Sequence, residues 1–389
     1  MENRNFIGFD ADRVPSPSYV VDLTALKKKL ALLAEVKERS GAKILLALKA
    51  FSMFSTFSLI GSVLDGVCAS SPDEARLGYE EMGKEVHSYC PAYTVDSLQD
   101  FLTYSDHLVF NSQKQLKRLL PIVKAAGEIR NSTISIGLRL NPEQPEADIP
   151  LYDPSSPYSR LGIPFSEFDG RDLDGIDGFH FHNLCEQNAD ALVRTWETFE
   201  RKFGSYLTGL KWMNLGGGHH ITRSDYDVDE LIRLITYIRD TYQVEVYLEP
   251  GEAVALNTGV LVASVVDIIH NGMPIAILDI SATCHMPDVL EMPYRPMIWG
   301  SGASNEKAYT YRLGGLSCLA GDVVGDYSFD KQLEIGDRLV FTDMAHYTMV
   351  KTTTFNGVRL PSICTFDSEK AEYKVVKKFG YEDFRSRLS

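Results

Sequence analysis

The 389-residue sequence predicts an α/β protein in two parts: a closed (β/α)8 barrel over residues 22–257, and a mainly antiparallel β domain made of residues 1–21 and 258–389. Three observations carry this reading. About eight short apolar runs alternate with helix-like runs over roughly 230 residues, the count a closed parallel barrel needs. After about Asn257 the rhythm changes to short β-branched runs separated by turn residues. The first 21 residues, with Pro15, Pro17 and then Tyr19-Val20-Val21, read as extended and able to add a strand to the second part, so that the barrel is an insertion within it. A doubly wound open sheet is the alternative with the same alternation.

Taken in order, Asp22 reads as an N-cap for a helix that runs to Arg39 and stops at Gly41. The first barrel strand is Ile44 to Leu48, apolar throughout as in a parallel strand covered on both faces. The other β-like runs are Gly66 to Ser70, Glu85 to Cys90, His107 to Asn111, Ile134 to Asn141, Gly178 to Leu184, Lys211 to Leu215 and Val244 to Glu249. Helical spacing marks Pro72 to Met82 after Ser71, Ser112 to Ala126, Leu192 to Phe203 and Val228 to Asp240. Beyond them, Val260 to Ile269, Ile275 to Ile280, Arg338 to Phe341 and Tyr373 to Val376 read as strands.

A composition of 44% hydrophobic and 24% charged residues is that of a globular protein. The net charge of −14 argues against nucleic acid and accords with a cationic substrate. No run of about 18 apolar residues exists, so no membrane association is expected and the expected location is the cytoplasm. Six cysteines stand singly with no Cys-x-x-Cys pair, so reduced thiols are expected.

Lys49 closes the first strand, and the C-terminal ends of barrel strands are where such folds place their chemistry. Desolvation there lowers a lysine pKa toward that of a Schiff-base nucleophile, although a strand-end lysine also snorkels to water. Asn214-Leu215-Gly216-Gly217-Gly218 follows the seventh run and reads either as a phosphate cradle or as a tight turn. Glu249-Pro250-Gly251-Glu252 ends the eighth, where a carboxylate can pair with a protonated ring nitrogen or cap a helix. His180 and His182 share a strand face by their two-residue spacing and can ligate a metal or stack on a flat cofactor. Without a supporting ligand pattern no metal is expected, and the roles of His180, His219, His220 and His285 stay open. Cys318 lies in a glycine-bounded loop with Asp322 four residues on, and Tyr347 and Phe355-Asn356-Gly357 follow.

Together these residues resemble the fold-type III pyridoxal-phosphate decarboxylases, the alanine-racemase-like group that includes ornithine and diaminopimelate decarboxylases. The strings Ala47 to Phe51, Glu249 to Ala253, Ala282 to Asp288 and Cys318 to Asp322 look most like its carboxynorspermidine and carboxyspermidine branch. The resemblance implies pyridoxal 5'-phosphate as cofactor, a carboxylated polyamine as substrate, a role in polyamine biosynthesis, and a homodimer with shared active sites. By the same resemblance Lys49 carries the cofactor, His182 stacks on its ring and Glu249 pairs with the ring nitrogen. Gly216, Gly217, Gly218 and Tyr347 hold the phosphate, and Cys318 protonates the product. Ornithine-type enzymes have an arginine and an acidic residue where this chain has Glu252 and Leu319. That departure disfavours a short diamine precursor and leaves Glu252, Asp288 and, less strongly, Asp322 as anions for spaced ammonium groups. An ornithine- or diaminopimelate-type decarboxylase, a non-catalytic regulatory homologue and a metal-dependent hydrolase are the alternatives.

Overall fold

The structure, a computed structural model, describes all residues except 1–4, 131–132, 148 and 293. It divides into two compact units, one of Lys29–Val254 and one of Met1–Lys28 with Ala255–Ser389. The first strand of the chain, β1 (Ser18–Asp22), belongs to the second unit and is followed by α1 (Leu23–Ser40). Asp22 caps α1, its Oδ1 accepting from the Thr24 and Ala25 N–H groups at 2.9 and 3.2 Å. Gly41 ends the helix in the left-handed region, φ 73°, where its N–H returns to the Lys37 carbonyl.

The unit Lys29–Val254 is a closed barrel of parallel strands: β2 (Lys43–Ala47), β3 (Gly66–Ala69), β4 (Glu85–Tyr89), β5 (His107–Phe110), β6 (Ser135–Arg139), β7 (Gly178–His180), β8 (Trp212–Asn214) and β9 (Glu245–Leu248). It closes where β2 meets β9, through Lys43↔Tyr247 and Ile44↔Leu248. The alternation read from the sequence therefore belongs to a barrel and not to an open sheet. Between the strands run α2 (Phe57–Gly61), α3 (Pro72–Leu77), α4 (Val95–Tyr104), α5 (Gln113–Arg130), α6 (Ala189–Phe203) and α7 (Val228–Tyr242). The run expected as one helix over 72–82 is instead α3, capped by Ser71, followed by a π-turn over Gly78–Met82. In α6, Leu192, Trp196, Phe199 and Phe203 recur at helical spacing and are buried. Truncating Trp196 to Ala would cost about 3–5 kcal/mol, most of it lost packing.

The N-terminal ends of the strands carry a polar network. Lys43 Nζ lies 2.7 Å from Glu85 Oε1 and 3.2 Å from Glu245 Oε2, and Tyr247 OH donates to Glu245 at 2.7 Å. The His87 and His107 rings stack at 3.7 Å between centroids, tilted by only 12°.

The other unit is built on a mixed sheet. Its strands are β1, β10 (Gly259–Asn271), β11 (Met273–Leu278), β12 (Tyr309–Gly314), β13 (Val323–Phe329), β14 (Arg338–Thr342), β15 (Ser362–Asp367) and β16 (Glu372–Lys377). They run in the order β13-β12-β11-β10-β1-β15-β16, with β14 also on β10, and only β1–β15 and β11–β12 are parallel pairs. Val20, Val260, Val262, Val340, Cys364 and Phe366 pack with Phe6 and Val14 as its core, flanked by Phe9, Trp299 and Tyr373. The β-branched pattern places these side chains on one face with period two. Short α8 (Glu252–Ala255), α9 (Ala282–His285) and α10 (Asp288–Glu291) lie in the connections, and α11 (Tyr381–Arg385) follows the sheet.

Candidate active site

The C-terminal ends of the barrel strands gather the chemistry. After β2, a tight turn brings the Ala50 and Phe51 N–H groups back to the Ala47 carbonyl at 3.1 and 3.2 Å, with Lys49 inside it. Solvent reaches the Lys49 side chain, but the protein crowding its amine strips hydration and lowers its pKa. The Arg139 guanidinium acts in the same direction, while Cys68, Glu249 and Glu74 oppose it. The net effect is a larger share of neutral, nucleophilic amine at neutral pH.

Glu249, one residue past β9, is buried. Asn214, the last residue of β8, donates its Nδ2–H to Glu249 Oε1 at 2.8 Å and accepts from the Gly216 N–H at 2.8 Å. Burial works against the Glu249 charge, but the imidazoles of His180 and His182 and the Asn214 amide outweigh it and hold the carboxyl below its ordinary range. The two imidazoles are themselves pushed down by burial, and both further by Lys49 and Arg139.

β7 ends at His180, and His182 stands just beyond it, the two rings 6.3 Å apart and edge to face. His180 Nε2 is 3.5 Å from Glu249 Oε2, and neither ring nitrogen of His180 makes a hydrogen bond. His182 Nδ1 accepts from the Gly217 N–H at 3.1 Å. Arg139, at the end of β6, is buried; its Nη2 donates to the His182 carbonyl at 2.6 Å and its guanidinium lies over the Tyr89 ring.

The glycine loop is a place of close approach. A Cβ on Gly216, Gly217 or Gly218 would stand 2.5, 2.1 or 1.9 Å from the carbonyl oxygens of Phe181, Glu249 and Leu184. Gly216 and Gly218 also have φ of 68° and 83°. The Gly216 and Gly217 N–H groups donate to Asn214 Oδ1 and His182 Nδ1.

The remaining sequence candidates are distributed as follows. Glu252 opens α8, with His220 Nε2 at 3.4 Å from its Oε2. His219 Nδ1 meets the Tyr226 hydroxyl at 2.6 Å, while its buried Nε2 has no hydrogen-bond partner among the described residues. Cys318, Asp322, Asp288, His285 and Tyr347 all belong to the sheet-containing unit. Cys318 is exposed, and Tyr347 adopts the left-handed region at φ 44°. Asp288 is ion-paired with Lys351, which also meets Glu291 at 2.6 Å. Asp322 is buried and accepts through both oxygens from the N–H groups of Ala282, Thr283 and Ser317 and from the Ser317 hydroxyl.

A family model described as "Pyridoxal-dependent decarboxylase, C-terminal sheet domain" matches residues 18–345. The carboxynorspermidine/carboxyspermidine decarboxylase of Campylobacter jejuni is 45% identical over 97% of this chain and 99% of its own. The chain belongs to the pyridoxal-dependent decarboxylase family. The carboxyaminopropylagmatine decarboxylase of Synechocystis sp. is 44% identical over 96% of both chains. The crystal structure of the Campylobacter jejuni carboxynorspermidine decarboxylase complexed with norspermidine superposes with a TM-score of 0.88 at 44% identity, covering 96% of this chain and 100% of that one. As a family member the chain is a decarboxylase that works with pyridoxal phosphate.

The residues present fit that cofactor. They offer an amine of lowered pKa, an ionised buried carboxylate, a buried imidazole with no hydrogen-bond partner and a loop closed to side chains. Cys68, Glu74, Arg139 and Asn214 join this electrostatic environment, and sequence reasoning assigned them no role. A signal for three of them was available: Cys68 is the penultimate residue of β3, and Arg139 and Asn214 are the final residues of β6 and β8, close to the strand-end position that singled out Lys49.

Proposed function

We propose that this decarboxylase converts carboxynorspermidine and carboxyspermidine to norspermidine and spermidine, as a cytoplasmic homodimer with shared active sites in polyamine biosynthesis. The observation that carries the substrate assignment is end-to-end identity of 45% with an enzyme of that name, over a chain that keeps Lys49 and Glu249 at adjoining ends of β2 and β9. No helix among the described residues is long and apolar enough to cross a membrane, and all six cysteines are free, which supports the location.

In this reading Lys49 would be the amine that anchors the cofactor. Glu249 would keep a proton on the cofactor's ring nitrogen, His182 would stack on the ring, and the glycine loop would hold the phosphate, a role the family resemblance also gives to Tyr347. Bound pyridoxal phosphate supplies an electron sink for the bond that breaks. The rest of the site orients the substrate so that its Cα–carboxylate bond stands where that sink can accept the electrons. Cys318 then delivers a proton to Cα. Glu252, Asp288 and Asp322 are the candidate anions for the substrate's distal ammonium groups; Asp288 is paired with Lys351, Asp322 is hydrogen-bonded by its own loops, and Glu252 lies 3.4 Å from His220.

The Synechocystis relative supports a second reading, in which the substrate's distal end is a guanidinium. One experiment separates the two. Carbon dioxide release is measured with carboxynorspermidine, carboxyspermidine, carboxyaminopropylagmatine, diaminopimelate and ornithine. The highest kcat/KM is expected with the first two; a preference for the guanidino substrate selects the second reading, and a preference for either amino acid overturns both.

A further inference from the structure

The loop that presents Cys318 is held from two sides. On one side, the Cys318 N–H donates to Asn356 Oδ1 at 2.7 Å. Asn356 reaches it from a left-handed conformation, φ 57° and ψ 9°, which asparagine tolerates better than most residues. On the other side, Ser317 donates both its N–H, at 3.0 Å, and its hydroxyl, at 2.6 Å, to Asp322 Oδ2. The second oxygen of Asp322 accepts from the Ala282 N–H at 2.7 Å and so ties the loop to the start of α9. Gly315 makes room for that carboxylate, because a Cβ there would stand 2.6 Å from both of its oxygens.

The two anchors are themselves connected. Cys284, in α9, donates its thiol to the Phe355 carbonyl at 3.4 Å, and its own carbonyl accepts from the Thr353 N–H at 2.9 Å. α9, the Thr353–Asn356 segment and the Gly315–Asp322 loop thus form one hydrogen-bonded assembly. Cys318 is exposed on it, with its backbone fixed and its thiol free to point outward.

We propose that Asp322 and Asn356 are positioning residues for Cys318, clamping its loop so that the thiol is offered at one place. This rests on the reading of Cys318 as the proton donor to Cα. It gives Asp322 a role that its saturated carboxylate suits, in place of binding substrate. A donor displaced by even an ångström loses much of its advantage, since proton transfer needs hydrogen-bond distance.

The test uses the cofactor-loaded enzyme with Cys318→Ala, Asn356→Gly, Asn356→Asp and Asp322→Asn. Glycine keeps the backbone of Asn356 and removes the acceptor, whereas aspartate keeps both. Three quantities are read: kcat and KM, the fraction of product released as aldehyde instead of amine, and hydrogen exchange over residues 315–322. A proton delivered away from Cα leaves the amino nitrogen on the cofactor and, with one water, releases an aldehyde, so that fraction counts misplaced protons. Asn356→Gly is expected to lower kcat about tenfold at unchanged KM, to raise the aldehyde fraction toward that of Cys318→Ala, and to speed exchange in the loop. Asn356→Asp should restore all three, and Asp322→Asn should lie between. Wild-type kcat and product ratio in Asn356→Gly and Asp322→Asn, alongside altered values in Cys318→Ala, would overturn the clamp and leave the Cys318 reading standing. Failure of Asn356→Asp to rescue also overturns it. Wild-type behaviour of Cys318→Ala removes both.

Discussion

The two ends of the barrel carry nearly the same residue types and put them to different uses. At the C-terminal end, His180, His182 and Glu249 bring ligand-capable atoms within 4.8 Å of one another near Lys49; at the N-terminal end Glu85, His87 and His107 do the same near Lys43. The difference lies chiefly in how each lysine is met, since a buried histidine Nδ1 without a hydrogen-bond partner occurs at both ends, in His87 and His107 as in His180. Lys43 is spanned by two carboxylates, and Glu85 also takes the His87 and Tyr247 side chains at 3.3 and 3.2 Å. Parallel stacking of His87 on His107 leaves no point in the planes of both rings, as an ion bound through both would need. At the other end Lys49 has its pKa lowered where that of Lys43 is raised. Residue identity is therefore a poor guide to a site, and the charge environment of its lysine is a better one.

Substitutions at each end break this comparison, and the largest effect belongs to Lys49→Ala. It should remove the visible absorbance of the bound cofactor and decarboxylation together, with the melting temperature of the apoprotein unchanged; undiminished turnover would refute the role given to this amine. Glu249→Gln comes next. It should retain cofactor and lower kcat by about 10²-fold, the usual scale for removing one preorganised electrostatic partner, and wild-type kcat would move the ring-nitrogen partner elsewhere.

At the opposite end the expected effects fall on stability. Glu85→Gln should cost about 1–3 kcal/mol in denaturant unfolding, the scale for breaking a half-buried charged network, while leaving kcat as it is; a loss of activity without loss of stability would erase the distinction between the two ends. The smallest effect is a pH slope. Burial, with His87 adding to it, depresses the His107 pKa from 6.5 to about 2. The folded state thus binds this proton less readily than the unfolded one, so its contribution to stability is present above pH 6.5 and is lost as pH falls from there toward 2. Glu85 adds a similar loss lower down: burial raises it, but its bonds to His87 and Lys43 bring it to about 2, so its contribution is present above pH 4.5 and fades below. His107→Gln should flatten the stability curve between pH 6.5 and 4.5, and an unaltered slope would show that the proton is taken up elsewhere.

Several features were legible in the chain because they are local. The strand at Lys43–Ala47 ends two residues before Lys49, the glycines follow β8 directly, and Asp22 and Ser71 cap the helices their spacing announced. The π-turn after α3 was not legible, because one extra residue per turn leaves the apolar pattern almost unaltered. Arg139 has no role in the sequence pattern, because only the fold brings the His182 carbonyl and the Tyr89 ring to its guanidinium.

The sequence by itself determined the alternation of strands and helices, the change to β-branched runs after Asn257, and the residue types stationed at strand ends. These follow from periodicity and turn chemistry over a few residues. What only the tertiary structure decided is which of those side chains were already bonded. Asp322 and Asp288 looked like anions for a substrate until Ser317, Ala282 and Lys351 were seen to meet them. Glu249 and Glu85 are told apart by their partners, the Asn214 amide for one and Lys43 for the other. The physical reason is that a carboxylate's charge and availability depend on burial and on donors drawn from distant parts of the chain, which no local pattern encodes.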